Sequence, residues 1–377
     1  MKLGLCLMMK NEEAYLPEFF ETSKKYVDTY YVLDTGSTDQ SLAIAKKYTT
    51  NIWHKSFTND FSEMRNDLLA KTETEWLIFL DADELLAAEM WEQLRSLISN
   101  SHRLVGIGGF KLIRYNFFAT GGWYTDMVLK LFLNDKNFKY SKKVTERIEP
   151  AILAQGYQVL DSQIMMNHLG HLRPFAERQG KSLAYISLLK EELAETPHQR
   201  LDYARLALIE RNTGSLAEGL VHSKLGVTSQ PDNVIANTFH GHLLRATGDA
   251  EGALVYYQRA REQSKTPGLI ENMIGLIYLS EGNYSQALTY FENAYQENPH
   301  FPHILVNLGL VHFFQEDYAL ALDCFETVAK ANPYFLQREA LGILEFDPYK
   351  SLHYETIANY WGLESYIEIC EGELRKG

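Results

Sequence analysis

The chain has 377 residues, of which 46% are apolar and 23% charged, a balance that excludes a wholly disordered protein and predicts two or three domains. With 36 basic residues against 49 acidic ones it carries a net charge of −13, which counts against nucleic acid or an anionic membrane as the main partner. The cysteines Cys6, Cys324 and Cys370 stand far apart, which excludes a disulfide framework and a zinc-type spacing and fits a reducing compartment.

The apolar run Leu3–Met9 reads as a buried strand. It is too short for a secretory leader, and Lys10-Asn11-Glu12-Glu13 follows it at once. No window approaches the roughly 20 apolar residues that span a bilayer, so a cytoplasmic protein without an integral membrane segment is expected. Glu12–Tyr26 reads as a helix with Leu16, Phe19, Phe20 and Ser23 on one face, and Thr29–Leu33 as a strand ending at Asp34. The stretch Thr35-Gly36-Ser37-Thr38-Asp39 is a turn in which Ser37 or Thr38 is expected to cap the helix carrying Leu42, Ile44 and Ala45. A short strand at Asn51–His54, a helix at Ser62–Lys71 and a strand at Trp76–Leu80, ending at Asp81, complete an alternation that predicts parallel strands with crossover helices. Ligands of such sheets sit at the carboxyl ends of the strands, where Asp34 and Asp81 are placed. Val105–Tyr115, Met127–Leu133 and Gln158–Ile164 read as further strands.

The second half repeats itself. Ala207, Gly241, Gly275 and Gly309 stand 34 residues apart, as do Gly219, Ala253, Ala287 and Ala321, then Ser223, Tyr257, Phe291 and Phe325, then Gly226, Ala260, Ala294 and Val328. Small residues let paired helices approach, the aromatic fills the gap, and Pro231, Pro299 and Pro333 end the second helix of three units. This register resembles the tetratricopeptide repeat. The expected organisation is an α/β domain over 1–172, a linking helix over 173–200, four repeats over 201–334 and a helical cap over 335–377. Residues 1–172 hold 19 basic and 22 acidic residues, whereas 266–329 hold no Lys or Arg against eight acidic ones.

Asp81-Ala82-Asp83-Glu84 puts three carboxylates at a strand end, a crowding that a divalent cation would relieve; hard oxygen ligands suit Mg²⁺ or Mn²⁺, which then bridge to a diphosphate. Taken with Asn11-Glu12-Glu13, with Val32-Leu33-Asp34-Thr35-Gly36-Ser37-Thr38-Asp39, and with Asp60-Phe61-Ser62-Glu63-Met64-Arg65-Asn66, this order of blocks resembles the family 2 glycosyltransferases with the GT-A fold, a Rossmann-like α/β domain with a mixed sheet. The resemblance implies a nucleotide-sugar donor, UDP-linked, held at its base and ribose by Glu12, Glu13, Asp34, Asp60, Arg65 and Asn66. Asp81 would lie near the ribose or sugar, and Asp83 would bind the metal through the Asp-x-Asp motif.

A family block in which an arginine-rich strand precedes Val-His-Glu is matched by Leu129–Asn134 and Val144-Thr145-Glu146, except that Lys130, Leu133 and Thr145 depart from it. An inverting transfer needs a base for the acceptor; Glu146 is the first candidate and Asp126 the second, while the plain reading of Glu146 is a carboxylate paired with Arg147 or Lys143. Asn167-His168-Leu169-Gly170-His171 stands where the family often has His-x-Gly-Tyr, so His168 is a candidate metal ligand and His171 replaces the aromatic. Trp123, after Gly121-Gly122, fits either an acceptor loop or the core.

A family 2 domain followed by these repeats is similar in order to the enzymes that glycosylate Cys or Ser of bacteriocin peptides, which implies a peptide or protein acceptor, basic by charge complementarity, and allows a homodimer through the repeats. The rival readings are a transferase building lipopolysaccharide or capsule, and a non-catalytic repeat scaffold. Nucleotidyl transfer is disfavoured, since Met8–Glu13 is acidic and carries no glycine.

Overall fold

The computed structural model describes residues 1–100, 105–117, 123–173, 175–195, 201–212, 214–299, 301–331 and 362–376. They fall into two compact units, one formed by Met1–Phe117 with Trp123–Leu172 and one beginning at Arg173.

The first unit is built on an eight-stranded mixed sheet. Strands β1 (Leu3–Met9), β2 (Thr29–Asp34), β3 (Ile52–His54) and β4 (Trp76–Phe79) run parallel in the order 3-2-1-4. β7 (Trp123–Leu133) adds antiparallel to β4, followed by β6 (Ile107–Phe117), β8 (Gln158–His168) and the two-residue β5 (Glu84–Leu85). β1 is apolar throughout because both faces are covered. Leu5 and Leu7 face a layer made by α1 (Leu16–Ser23), α2 (Ser41–Ala45) and α4 (Ala88–Asn100), with Phe19, Phe20, Trp91 and Ile98 in it. Cys6 points the other way, into a layer with Met64 and Leu68 of α3 (Phe61–Leu69) and Ile152 of α5 (Glu149–Ala154).

Helices α4 and α5 and strand β5 carry no expectation from the sequence pattern. The cap expected of Ser37 or Thr38 is corrected: α2 starts at Ser41, and Ser37 Oγ accepts from the Asn11 N–H (3.1 Å) while the Thr38 N–H donates to Asn11 Oδ1 (2.8 Å). The turn residues are drawn into tying two strand ends together.

The second unit begins with α6 (Phe175–Glu195). Four helix pairs follow: α7 (Leu201–Asn212) with α8 (Leu216–Ser229), α9 (Val234–Ala246) with α10 (Ala250–Gln263), α11 (Gly268–Ser280) with α12 (Tyr284–Glu297), and α13 (Pro302–Phe314) with α14 (Tyr318–Ala331). The recurring glycines sit where the partner helix crosses. A Cβ on Gly241 would lie 2.7 Å from the Tyr257 ring, on Gly275 2.6 Å from Phe291, and on Gly309 2.5 Å from Phe325. Between paired helices the chain turns through left-handed backbone at Gly214, Gly248 and Gly282, and at Glu316 in the fourth pair (φ 63°). α15 (Leu363–Leu374) closes the core at the far end, with Tyr366 edge-on to Phe313 and Cys370 fully buried. Pro333 and the expected cap as far as residue 361 lie outside the described residues.

Candidate active site

Three carboxyl ends of parallel strands meet at one rim of the sheet. Asp34, at the end of β2, is 5% exposed; it accepts from the Ser37 N–H at 3.1 Å and lies 3.2 Å from His54 Nδ1 at the end of β3. After β1, Asn11 turns the chain at φ 55°, and the next two residues are pinned to the loop behind β2. The Glu12 N–H donates to Ser41 Oγ (2.7 Å), the Glu13 N–H to Asp39 Oδ2 (3.1 Å), and Glu13 Oε2 accepts from the Gln40 N–H (2.8 Å). Glu12, Glu13 and Asp34 therefore share one rim.

Asp81, after β4, is held by two buried cations. Arg65 from α3 donates through Nη2 to Asp81 (3.4 Å) and through Nε to Glu146 (2.7 Å), with its guanidinium 4.3 Å from the centre of the Phe79 ring. Lys130 lies 3.5 Å from Asp81 Oδ2 and 2.5 Å from Glu84 Oε2. Burial opposes the charge on Asp81, but Lys130 and then Arg65 outweigh it and hold the carboxyl well below the usual carboxylate range. Glu146 is paired with Arg65 across 81 residues of sequence, which corrects the expected partners Arg147 and Lys143. Arg65 is a buried organiser of the site and not a surface charge on a helix.

Two residues expected at the donor also make contacts within the fold. The Asp60 carboxylate caps α3, accepting from the Glu63 N–H at 2.9 Å. Asn66 clasps the backbone of Tyr140, donating to its carbonyl (2.9 Å) and accepting from its N–H (2.8 Å). Both side chains shape the wall that carries Arg65.

Across the sheet, Arg114 of β6 pairs in register with Asp126 of β7 and grips it with two bonds, at 3.0 and 2.6 Å. Burial works against the Asp126 charge, but this grip and a 3.0 Å bond from Asn116 Nδ2 hold its carboxyl below the usual range. These bonds tie Asp126 to β6. His168, at the end of β8, places Nδ1 2.7 Å from Asn116 Oδ1 and Nε2 3.9 Å from Asp83 Oδ1.

Sequence reasoning missed Glu84, Lys130, Arg114 and Asn116 as parts of one network. Glu84 is 1% exposed, accepts from the Asp81 N–H at 3.0 Å, and contacts Arg114 and Lys130. Lys130 reaches it because β7 carries a bulge there: Phe110 pairs with Leu131 and Lys111 with Leu129, leaving Lys130 unpaired and re-aimed. The alternation Arg114, Asn116 on one strand face was a usable signal; the bulge had none. The side chains of Trp123 and His171 lie outside the described residues.

Residues 5–150 match the family model for glycosyl transferase family 2, and residues 278–334 match a tetratricopeptide repeat model. The chain joins a family 2 glycosyltransferase domain to tetratricopeptide repeats. A TPR repeat-containing protein of Synechococcus elongatus is 27% identical over 272 residues, 70% of this chain and 66% of that relative's length. Among solved structures, the MamA protein is 18% identical over 41% of this chain and 85% of its own, with a TM-score of 0.36. A thermophilic TPR protein of Thermus thermophilus is 18% identical over 42% and 87%, with a TM-score of 0.37.

Family 2 glycosyltransferases generally use a nucleotide sugar and a divalent metal. Among the described residues no group of three or more His, Cys, Asp or Glu is arranged to hold an ion by itself. The residues present nonetheless fit one. Asp83 and His168 face each other across Gly170, where a Cβ would come within 2.6 Å of His168 Nε2 and 3.0 Å of Asp83 Oδ2. Mg²⁺ and Mn²⁺ suit such a half-built site, because substrate phosphates and water supply the remaining oxygens. Among the described residues no helix is long and apolar enough to cross a membrane.

Proposed function

We propose that the protein is a metal-dependent inverting glycosyltransferase that moves a hexose from a UDP-sugar to a Cys, Ser or Thr side chain of a peptide. The observation that carries this reading is the convergence of Asp34, Asp81 and Asp83 at one rim of the sheet, with His168 facing Asp83 across a residue that has no side chain. Glu12, Glu13 and Asp34 would accept from the uracil N–H and the ribose hydroxyls. Arg65 and Lys130 fix Asp81 as an oriented anion beside them. A metal held by Asp83 and His168 would neutralise charge on the leaving diphosphate.

Glu146 serves as the base in this reading. It takes the proton of the acceptor as that atom bonds to the anomeric carbon, and the bond from that carbon to the diphosphate oxygen breaks with its electron pair, releasing the nucleoside diphosphate. Arg65 holds Glu146 in place through a 2.7 Å bond from Nε. The repeats would hold the acceptor, and the absence of Lys and Arg from 266–329 favours a basic peptide.

Calorimetry with a panel of nucleotide sugars, with and without Mn²⁺, tests the reading. One UDP-sugar should bind only with metal, and Asp83→Ala should lose that binding at least about 100-fold. Glu146→Gln should keep donor binding and lose transfer. Failure of every nucleotide sugar to bind overturns the enzyme reading, and transfer to a glycan in preference to peptides overturns the acceptor.

A further inference from the structure

Behind the Asp83–His168 pair lies a chain of polar side chains that the transfer itself does not use. Asn116 is 1% exposed and sits directly opposite His168 in the β6–β8 register. Its side chain lies between an imidazole nitrogen and the carboxylate that Arg114 grips. An ionised carboxylate only accepts, so the edge of Asn116 that faces Asp126 must be its NH₂ group. The opposite edge is then its carbonyl oxygen, which only accepts as well. The atom 2.7 Å from it, His168 Nδ1, must carry the proton. In the neutral ring Nε2 is left as the lone-pair nitrogen, on the side of Asp83 and Gly170.

We propose that Asn116 is a positioning residue that reads the charge of Asp126 and fixes His168 as the Nδ1–H tautomer, so that Nε2 is presented to the metal site. Hydrogen-bond donation runs in one direction through the network: Arg114 to Asp126, Asn116 to Asp126, His168 to Asn116. Each donor is set by the acceptor before it, and the sheet supplies the alignment, since Arg114 and Asn116 are two residues apart on β6 and share a face. Metal-binding histidines elsewhere commonly give their second N–H to a carboxylate or carbonyl. Here an amide stands between ring and carboxylate, which keeps the full negative charge of Asp126 one side chain away from the imidazole. The inference rests on the reading of Asp83 and His168 as a metal site and assigns Asp126 an anchoring task in it.

The test uses the full chain labelled with ¹⁵N-histidine, without metal, at a pH where imidazoles are neutral. Long-range ¹H–¹⁵N correlations distinguish the two ring nitrogens, and His168→Gln identifies the signals among the 12 histidines. In the wild type, Nδ1 of His168 should be protonated and Nε2 should show a lone-pair shift. Asn116→Ala should lose that pattern and weaken Mn²⁺ uptake with UDP, read from the free-ion paramagnetic resonance signal, by about 10- to 100-fold. The exchange Asn116→Asp with Asp126→Asn keeps an acceptor toward His168 and should restore the tautomer and most of the affinity, which a merely structural role would not do. Gly170→Ala should do the reverse of Asn116→Ala, keeping the tautomer while blocking the ion. An Nε2–H tautomer in the wild type, or an unchanged pattern in Asn116→Ala, overturns the inference while Mn²⁺ binding stands. Absence of Mn²⁺ uptake by the wild type overturns the metal reading itself.

Discussion

The two units bury polar groups in different ways. The first concentrates formal charge at one rim: Arg65, Lys130 and Glu84 are all nearly inaccessible, and each charge depends on partners 16 to 81 residues away. The second buries mostly amides and imidazoles, among them Asn237, His240, His242, Asn272 and Asn307, along helices whose packing rests on glycine, alanine and one ring per pair. A buried ion costs far more than a buried amide and is recovered only through well-aligned partners. The first unit accepts that cost at the one place where chemistry asks for fixed charge. The second buries ions too, Glu192, Glu210 and Glu271 among them, but disperses them over separate helices of a surface built by repetition.

If that contrast holds, the largest effect belongs to the charge network. Lys130→Met strands the fully buried Glu84 carboxylate beside Arg114 alone and should cost the first unit about 3–5 kcal/mol. Urea unfolding followed by tryptophan fluorescence isolates that unit, because Trp53, Trp76, Trp91 and Trp123 belong to it and only Trp361 does not. A loss confined to the far-ultraviolet helical signal would contradict the assignment.

Acid should separate the units next. His240 is pushed down to about 4 because burial disfavours its charged form and Lys224 adds repulsion, while its Nδ1 lies 2.7 Å from Ser223 Oγ. The unfolded chain takes up a proton near pH 6.5 that the folded one refuses until about pH 4, so the repeats lose stability as pH falls through that window. The loss should reach about 3 kcal/mol at most. Asp81 and Asp126 are depressed in the folded state, so their contribution is fully present above about pH 4 and lost only below it. At about pH 5 the helical transition should therefore move to lower urea while the tryptophan transition stays, and His240→Phe should abolish the shift.

Smaller effects probe the repeat packing. Gly275→Ala presses a methyl onto the Phe291 ring and should destabilise the second unit by about 1–3 kcal/mol, leaving donor binding by the first unit unchanged. Glu316→Gly relieves a left-handed backbone that the other three pairs give to glycine, and should stabilise by roughly 0.5–1 kcal/mol in thermal melts. No gain would mean that the Glu316 side chain contributes more than its backbone costs.

The same contrast explains what could be read from the residues. Each repeat packs only on its neighbours, so its contacts recur at a fixed spacing and Gly241, Gly275 and Gly309 announce the rings that cover them. The donor rim was legible in part, because Asp34 and Asp81 follow apolar strands directly and strand ends bind ligands in such sheets. Arg65 was legible as part of a family block, but only the fold set it on Phe79 between Asp81 and Glu146. Asn66 and Asp60 matched a family block, yet one clasps Tyr140 and the other caps α3.

By itself, then, the sequence determined the strand and helix alternation, the 34-residue register and the carboxylates at the strand ends, because each is written in neighbouring or evenly spaced residues. Tertiary structure alone decided which cation each carboxylate meets, that Lys130 turns inward at a bulge, and that Asn116 stands between His168 and Asp126. Those outcomes depend on strand order and register between segments dozens of residues apart, and a single displaced residue in β7 is enough to send a buried charge to the opposite face.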